Sequence, residues 1–126
     1  MKLLLDTHIL LWWAEGSPKL GQRARAAVES GSNELRISAA SWWEIAIKQT
    51  LGRLRFDLAG GRSAFASRGV TTMDVTFAHA EAAAGLPLLH GDPFDRMLVA
   101  QASHEGLRLL TRDKRLKKYG SSVLCV

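Results

Sequence analysis

The sequence predicts a single α/β domain, with a mostly parallel central sheet and helices on both faces. Three observations carry that prediction. Short apolar runs alternate with helical patterns of about ten residues along the chain, the rhythm of strand–helix–strand units. The first run, residues 2–5, is apolar at the consecutive positions Leu3, Leu4 and Leu5 instead of alternating, as a strand buried on both faces requires. The length of 126 residues, with 47% apolar and 23% charged side chains, suits one globular domain.

The elements follow in order. Residues 2–5 form a strand ending at Asp6, and Thr7 can cap a helix that runs to Ala14 and closes at Gly16. Ser17-Pro18 pairs a capping serine with proline at the first helical position. Leu20, Ala24, Ala27 and Val28 then make an apolar stripe that ends at Gly31. Residues 35–38 read as a second strand and 39–51 as a helix stopped by Gly52. Arg53-Leu54-Arg55-Phe56 alternates like a short edge strand. Residues 58–67 are helical despite Gly60-Gly61, residues 70–75 a strand, and 77–84 an alanine-rich helix. Asp92-Pro93 opens a helix ending before Gly106; residues 107–111 are a strand, 113–118 a short basic helix and 123–126 a last strand.

Composition excludes several classes. The lone Cys125 cannot form an internal disulfide, and neither C-x-x-C nor the Cys/His spacing of a zinc site is present. No apolar run approaches the ~20 residues of a membrane span. Asp6 and His8 interrupt where a signal peptide would be apolar, so a cytoplasmic protein is expected. The net charge of +5 and the pI near 9.9 favour an anionic partner, nucleic acid above all.

In a parallel sheet, ligands bind beyond the carboxyl ends of the strands. Asp6 ends the first strand, Asp113 follows Thr111 at the end of another, and Glu44 and Asp95 lie early in helices that start on the same edge. Four carboxylates separated by 38, 51 and 18 residues can therefore converge. Two of them ~4 Å apart repel by about 4 kcal/mol at an effective dielectric near 20. A divalent cation relieves that cost, and an all-oxygen donor set prefers Mg²⁺ or Mn²⁺ to zinc. Carboxylate-held Mg²⁺ keeps water and commonly a substrate phosphate, which points to phosphoryl chemistry with metal-activated water. With those four acids set aside, seventeen basic side chains face eight acidic ones, a surface suited to a polyanion.

Each acid also has a plainer reading. Glu44 follows Ser41 by three, a capping-box spacing. Asp92 before Pro93 reads as a helix cap, Asp95 as a favourable charge near a helix N-terminus, and Asp113 as a cap of the basic helix. Other functions compete as well. A receiver-type signalling domain has similar size and acids, but Asp74 has no lysine after a later strand. A phosphohydrolase using an aspartyl-phosphate would need a second aspartate where His8 stands. A non-enzymatic RNA-binding module would bind without metal.

Taken together, Asp6-Thr7-His8-Ile9-Leu10-Leu11-Trp12-Trp13, Ile37-Ser38-Ala39-Ala40-Ser41-Trp42-Trp43-Glu44-Ile45-Ala46-Ile47-Lys48, Leu86-Pro87, His90-Gly91-Asp92-Pro93-Phe94-Asp95-Arg96-Met97-Leu98-Val99-Ala100-Gln101-Ala102 and Leu110-Thr111-Arg112-Asp113 resemble PIN-domain ribonucleases of the VapC type. The resemblance spans residues 1–126 in the family's order. It implies an Mg²⁺-dependent endoribonuclease, with Mn²⁺ as a substitute, that is the toxin of a type II toxin–antitoxin pair. The family's acidic quartet falls on Asp6, Glu44, Asp95 and Asp113, with Asp6 and Asp95 as direct ligands. It also implies a homodimer, a cognate antitoxin protein, and RNA as substrate, tRNA or other structured RNA included. The role of His8 stays open.

Trp12-Trp13 and Trp42-Trp43 stand in stretches apolar at every consecutive position, which wraps more than one helix face. One face serves the core and the other an interface. Arg108, Arg112, Lys114, Arg115, Lys117 and Lys118 surround Asp113 and suit phosphate-backbone contact, and Arg96 stands ready to orient Asp95 or meet a phosphate. His79, His90 and His104 receive no role, and Cys125 is expected in the core.

Overall fold

The computed structural model describes residues 1–126. Five parallel strands, β1 (Lys2–Leu5), β2 (Glu34–Ser38), β3 (Thr71–Met73), β4 (Arg108–Thr111) and β5 (Val123–Cys125), lie in the order β3-β2-β1-β4-β5. Six helices accompany them: α1 (Thr7–Glu15), α2 (Gln22–Glu29), α3 (Ala39–Thr50), α4 (Leu58–Ser67), α5 (Phe77–Ala84) and α6 (Pro93–Glu105). Two 3₁₀ turns, Pro18–Leu20 and Lys114–Tyr119, complete the set. No helix is long and apolar enough to cross a membrane.

The central strand explains the layers. Leu3, Leu4 and Leu5 are wholly buried, and the two-residue period of a strand sends them to opposite faces. Leu3 and Leu5 pack with Ile9, Trp13, Val28 and Ile45, drawn from α1, α2 and α3. Leu4 packs with Leu98, Val99 and Ala102 of α6. Burying each leucine contributes about 1.5–3 kcal/mol, and both faces must be covered for all three to contribute.

The chain winds from β1 through β2 to β3 on one side, then returns to β4 and β5 on the other. The winding reverses between β1 and β4, and the crevice beyond their carboxyl ends is where a sheet of this kind receives a ligand.

Several local expectations are corrected. Asp6, not Thr7, occupies the N-cap position of α1, without a side-chain capping bond, and the Thr7 hydroxyl instead donates to Ser41 Oγ at 3.0 Å, tying α1 to α3 in the interior. Ser17 does cap, but only a 3₁₀ turn: Gly21 at φ +78° breaks the chain there, and α2 starts afterwards. Ser38 caps α3 by accepting from the Ala40 amide, so Ser41 and Glu44 form no capping box. Arg53-Leu54-Arg55-Phe56 is not a strand; Leu54 and Phe56 pack on the core from a loop while β3 holds the sheet edge. The basic segment is 3₁₀ in form, and Cys125 is only half-buried.

Candidate active site

The four predicted acids lie near enough for the charges of Asp6, Glu44 and Asp113 all to act on Asp95. Leu5 of β1 lies opposite Leu110 of β4, so the residues that follow, Asp6 and Thr111, stand side by side at the carboxyl edge of the sheet. The Asp6 amide donates to the Leu110 carbonyl at 3.0 Å. Its buried carboxylate makes no cap for α1; Oδ2 accepts from Thr111 Oγ1 at 2.6 Å, and Oδ1 has no partner. Burial pushes the Asp6 carboxyl above the ordinary carboxylate range, against the opposing Thr111 hydrogen bond.

Glu44 lies in the second turn of α3 and is buried. Oε2 accepts from Lys48 Nζ at 2.8 Å one turn later, while Oε1 is buried without a partner. Asp95 lies in the first turn of α6. That turn is fixed by Asp92, whose Oδ1 accepts from the amides of Phe94 (2.8 Å) and Asp95 (3.1 Å). Asp92 is therefore the cap and Asp95 is left free to face the crevice. Its carboxyl is pushed up to about 7, first by burial and then by the charges of Asp6, Asp92, Glu44 and Asp113. Asp113 caps the Lys114–Tyr119 turn, and Arg115 grips it through Nε and Nη2 at 3.0 and 2.9 Å. That guanidinium holds Asp113 below the usual carboxylate range.

The charges are thus unevenly compensated. Glu44 has Lys48 and Asp113 has Arg115, whereas neither Asp6 nor Asp95 pairs with a lysine or arginine. Two unpartnered buried carboxylate oxygens beside an acid raised to about 7 fit the demand of a divalent cation with oxygen ligands. His90, Asp95 and Asp113 also bring one potential ligand atom each within 4.8 Å of one another.

Two predicted cations are used elsewhere. Arg96 turns away from Asp95: it donates to the carbonyls of Ala83, Leu86 and Pro87 and to the Tyr119 hydroxyl, fastening the loop before α6. Arg112 reaches the Lys19 carbonyl over Gly21. Lys114, Lys117 and Lys118 remain exposed around Asp113. His8 is exposed and lies against Trp12, with ring centroids 5.4 Å apart.

Sequence reasoning missed Thr111 and His90. The Thr111 hydroxyl also accepts from the Asp113 amide at 3.0 Å, so it orients both an acid and the loop carrying another. A hydroxyl residue closing a strand, two before an acid, was the available signal. His90 Nδ1 accepts from the Asp92 amide at 3.1 Å, and its side chain is 8% exposed in the crevice wall.

The tryptophans divide. Trp13 is in the core, and Trp42 packs on Phe56 and Phe65 while its Nε1 donates to Thr72 Oγ1. Trp43, beside Glu44, is 63% exposed and meets the Phe94 ring edge-on. Both border an apolar hollow of about 490 Å³ with Val75, Pro93 and Met97 in its walls.

The chain is similar to known proteins along its length. The family model of the PIN domain matches residues 3–121. Ribonuclease VapC22 of Mycobacterium tuberculosis (strain ATCC 25618 / H37Rv) is 34% identical over 120 residues, covering 93% of this chain and 91% of that protein. A toxin-antitoxin complex from Klebsiella pneumoniae contains a chain that superposes with a TM-score of 0.68 at 22% identity, covering 97% of this chain and 95% of that one. VapBC2 from Rickettsia felis, bound to a DNA fragment from its promoter, gives 0.73 at 16% identity over 100% and 98% of the two chains. The chain belongs to the PIN domain family and, within it, to the VapC-type proteins.

Proposed function

We propose that this protein is an Mg²⁺-dependent endoribonuclease, the toxin of a type II toxin–antitoxin pair, hydrolysing RNA phosphodiester bonds in the cytoplasm. The observation that carries this reading is the pair of buried, unpartnered oxygens, Asp6 Oδ1 and Glu44 Oε1, on two acids whose charges act on Asp95, itself without a lysine or arginine partner. The VapC22 relative is a ribonuclease, which supports that activity here, and the two structural neighbours, a toxin-antitoxin complex and VapBC2, support an antitoxin partner.

Asp6 and Asp95 would hold the ion directly, with Glu44 and Asp113 completing its surroundings. A bound Mg²⁺, or Mn²⁺ in its place, supplies polarisation of the phosphodiester and a lowered pKa for the attacking water. The chain's own part is positional. Thr111 aims Asp6, Asp92 sets the first turn that presents Asp95, and Lys48 steadies Glu44. Lys114, Lys117 and Lys118 suit contacts with the RNA backbone, which place the strand without reading its sequence.

The exposed Trp43 face suits a second copy of this chain. It is apolar and aromatic and lacks charge, as the buried centre of a homodimer interface is. A cognate antitoxin would bind the assembled toxin.

Incubating the purified protein with total RNA or tRNA, with Mg²⁺ or with EDTA, tests the activity. Fragments are expected only with Mg²⁺, and none from folded Asp6→Ala. Equal cleavage in EDTA, or by Asp6→Ala, removes the metal site from the mechanism. Growth arrest on expression, relieved by coexpressing an antitoxin, tests the cellular role; unaffected growth with abundant folded protein contradicts it.

A further inference from the structure

His90 lies in the site, but its hydrogen bonding assigns it a role other than ligand. A backbone amide can only donate, so the 3.1 Å bond from the Asp92 amide occupies the lone pair of Nδ1. The ring proton of the neutral imidazole is then on Nε2. That atom is buried and unpartnered, 3.6 Å from Asp95 Oδ2 and 3.7 Å from Asp113 Oδ2. Both distances exceed a normal N–H···O hydrogen bond, so the N–H sits between the two acids, bonded to neither.

We propose that His90 is a positioning residue: its Nε2–H stands as a donor between Asp95 and Asp113, sets the spacing of the two carboxylates, and excludes the imidazole from ligating the ion they would hold. The inference rests on the metal-site reading above. Like charges this close repel, and a donor dipole aimed at both partly offsets the repulsion while leaving each carboxylate lone pairs for a cation. A buried donor without a partner is rare. Here a closure of a few tenths of an ångström toward either acid completes the bond. The three-residue cluster of His90, Asp95 and Asp113 is close enough for one ion, yet with the proton on Nε2 the imidazole has no lone pair to offer. The donor set stays all-oxygen, which favours a hard ion.

Two substitutions separate the halves of the ring. His90→Asn keeps an acceptor near Nδ1 for the Asp92 amide and removes the distal donor. His90→Gln places an N–H near the reach of Nε2. Metal-stripped full-length protein is titrated with Mn²⁺ by calorimetry, and the Mn²⁺-loaded wild type is measured by electron spin-echo spectroscopy for directly bound imidazole nitrogen. The expected results are no bound nitrogen in the wild type and an Mn²⁺ affinity about 10-fold or more weaker in His90→Asn, with most of the affinity restored in His90→Gln. A directly coordinated nitrogen, or wild-type affinity in His90→Asn, overturns the role of His90 and leaves the metal site standing. Absence of Mn²⁺ binding by the wild type overturns both. The spin-echo result needs no variant, and a directly coordinated nitrogen overturns the proposal even if neither substitution folds.

Discussion

Thr111 Oγ1 donates a 2.6 Å hydrogen bond to Asp6 Oδ2, joining two residues 105 positions apart at the seam of β1 and β4. The register makes the pairing unavoidable, because Leu5 and Leu110 are already opposite each other one residue earlier. Folding of the central strands thus places the first acid of the site.

Thr111→Val keeps the shape of the side chain and removes its hydroxyl. Asp6 Oδ2 and the Asp113 amide then lose their shared partner, so a loss of about 1–3 kcal/mol in urea unfolding is expected. Thr111→Ser should stay near wild type. Unchanged stability in Thr111→Val would show that the hydroxyl is not needed to satisfy the buried acid.

The pH dependence has a definite sign. Asp95 titrates near 7 in the folded protein and near 3.8 in an ordinary environment, and Asp6 is shifted in the same direction. Between about pH 4 and 7 the folded state binds more protons than the unfolded one, so the contribution of these acids to stability falls as pH rises. Asp113, shifted down, acts only below the ordinary carboxylate pKa, where its contribution is lost as pH falls. In EDTA, Asp95→Asn should therefore melt higher than wild type at pH 8, with the gap closing toward pH 5. A gap that widens on acidification contradicts the assignment.

Arg96 is expected to matter for folding and not for substrate. Its guanidinium joins three carbonyls and a tyrosine hydroxyl across the loop before α6. Arg96→Ala should cost about 2–3 kcal/mol, and Arg96→Lys should recover little, because an ammonium lacks the planar fork. Hydrogen exchange should quicken at residues 83–89. A stable variant with intact exchange protection would return Arg96 to the phosphate role its sequence position suggested.

Much of this was legible in the sequence because the signals are local. An apolar triplet marks a doubly covered strand, and Asp92-Pro93 marks a helix start whose cap leaves Asp95 facing the crevice. The failures share a cause: the residue types were read correctly but their partners lie far along the chain. Arg96 next to Asp95 looked like its companion, yet the acceptors it finds are on the loop before α6 and on Tyr119. Arg53-Leu54-Arg55-Phe56 has the period of a strand, but β3 already occupies that edge of the sheet. His90 lacked any metal-ligand spacing, and its site contacts, Asp95 and Asp113, become visible only when α6 and β4 are set side by side.

Trp43 offers a test of self-association. If its face is the centre of a homodimer, Trp43→Glu should weaken the dimer by about 30-fold or more, the effect of losing an interface hot spot of at least 2 kcal/mol. Trp43 is 63% exposed in the single chain, so folding should be unaffected. Sedimentation velocity across a concentration series measures both states. An unchanged dimer would place the interface elsewhere.

The capture of a divalent ion by four converging acids is tested most directly by melting metal-stripped protein at pH 8 with and without Mg²⁺. The wild type should gain about 2.7 kcal/mol when Mg²⁺ is at 100 times its dissociation constant, while Asp6→Asn and Asp95→Asn gain little. Superimposable wild-type curves, or equal gains in all three proteins, would mean that the crevice does not hold the ion.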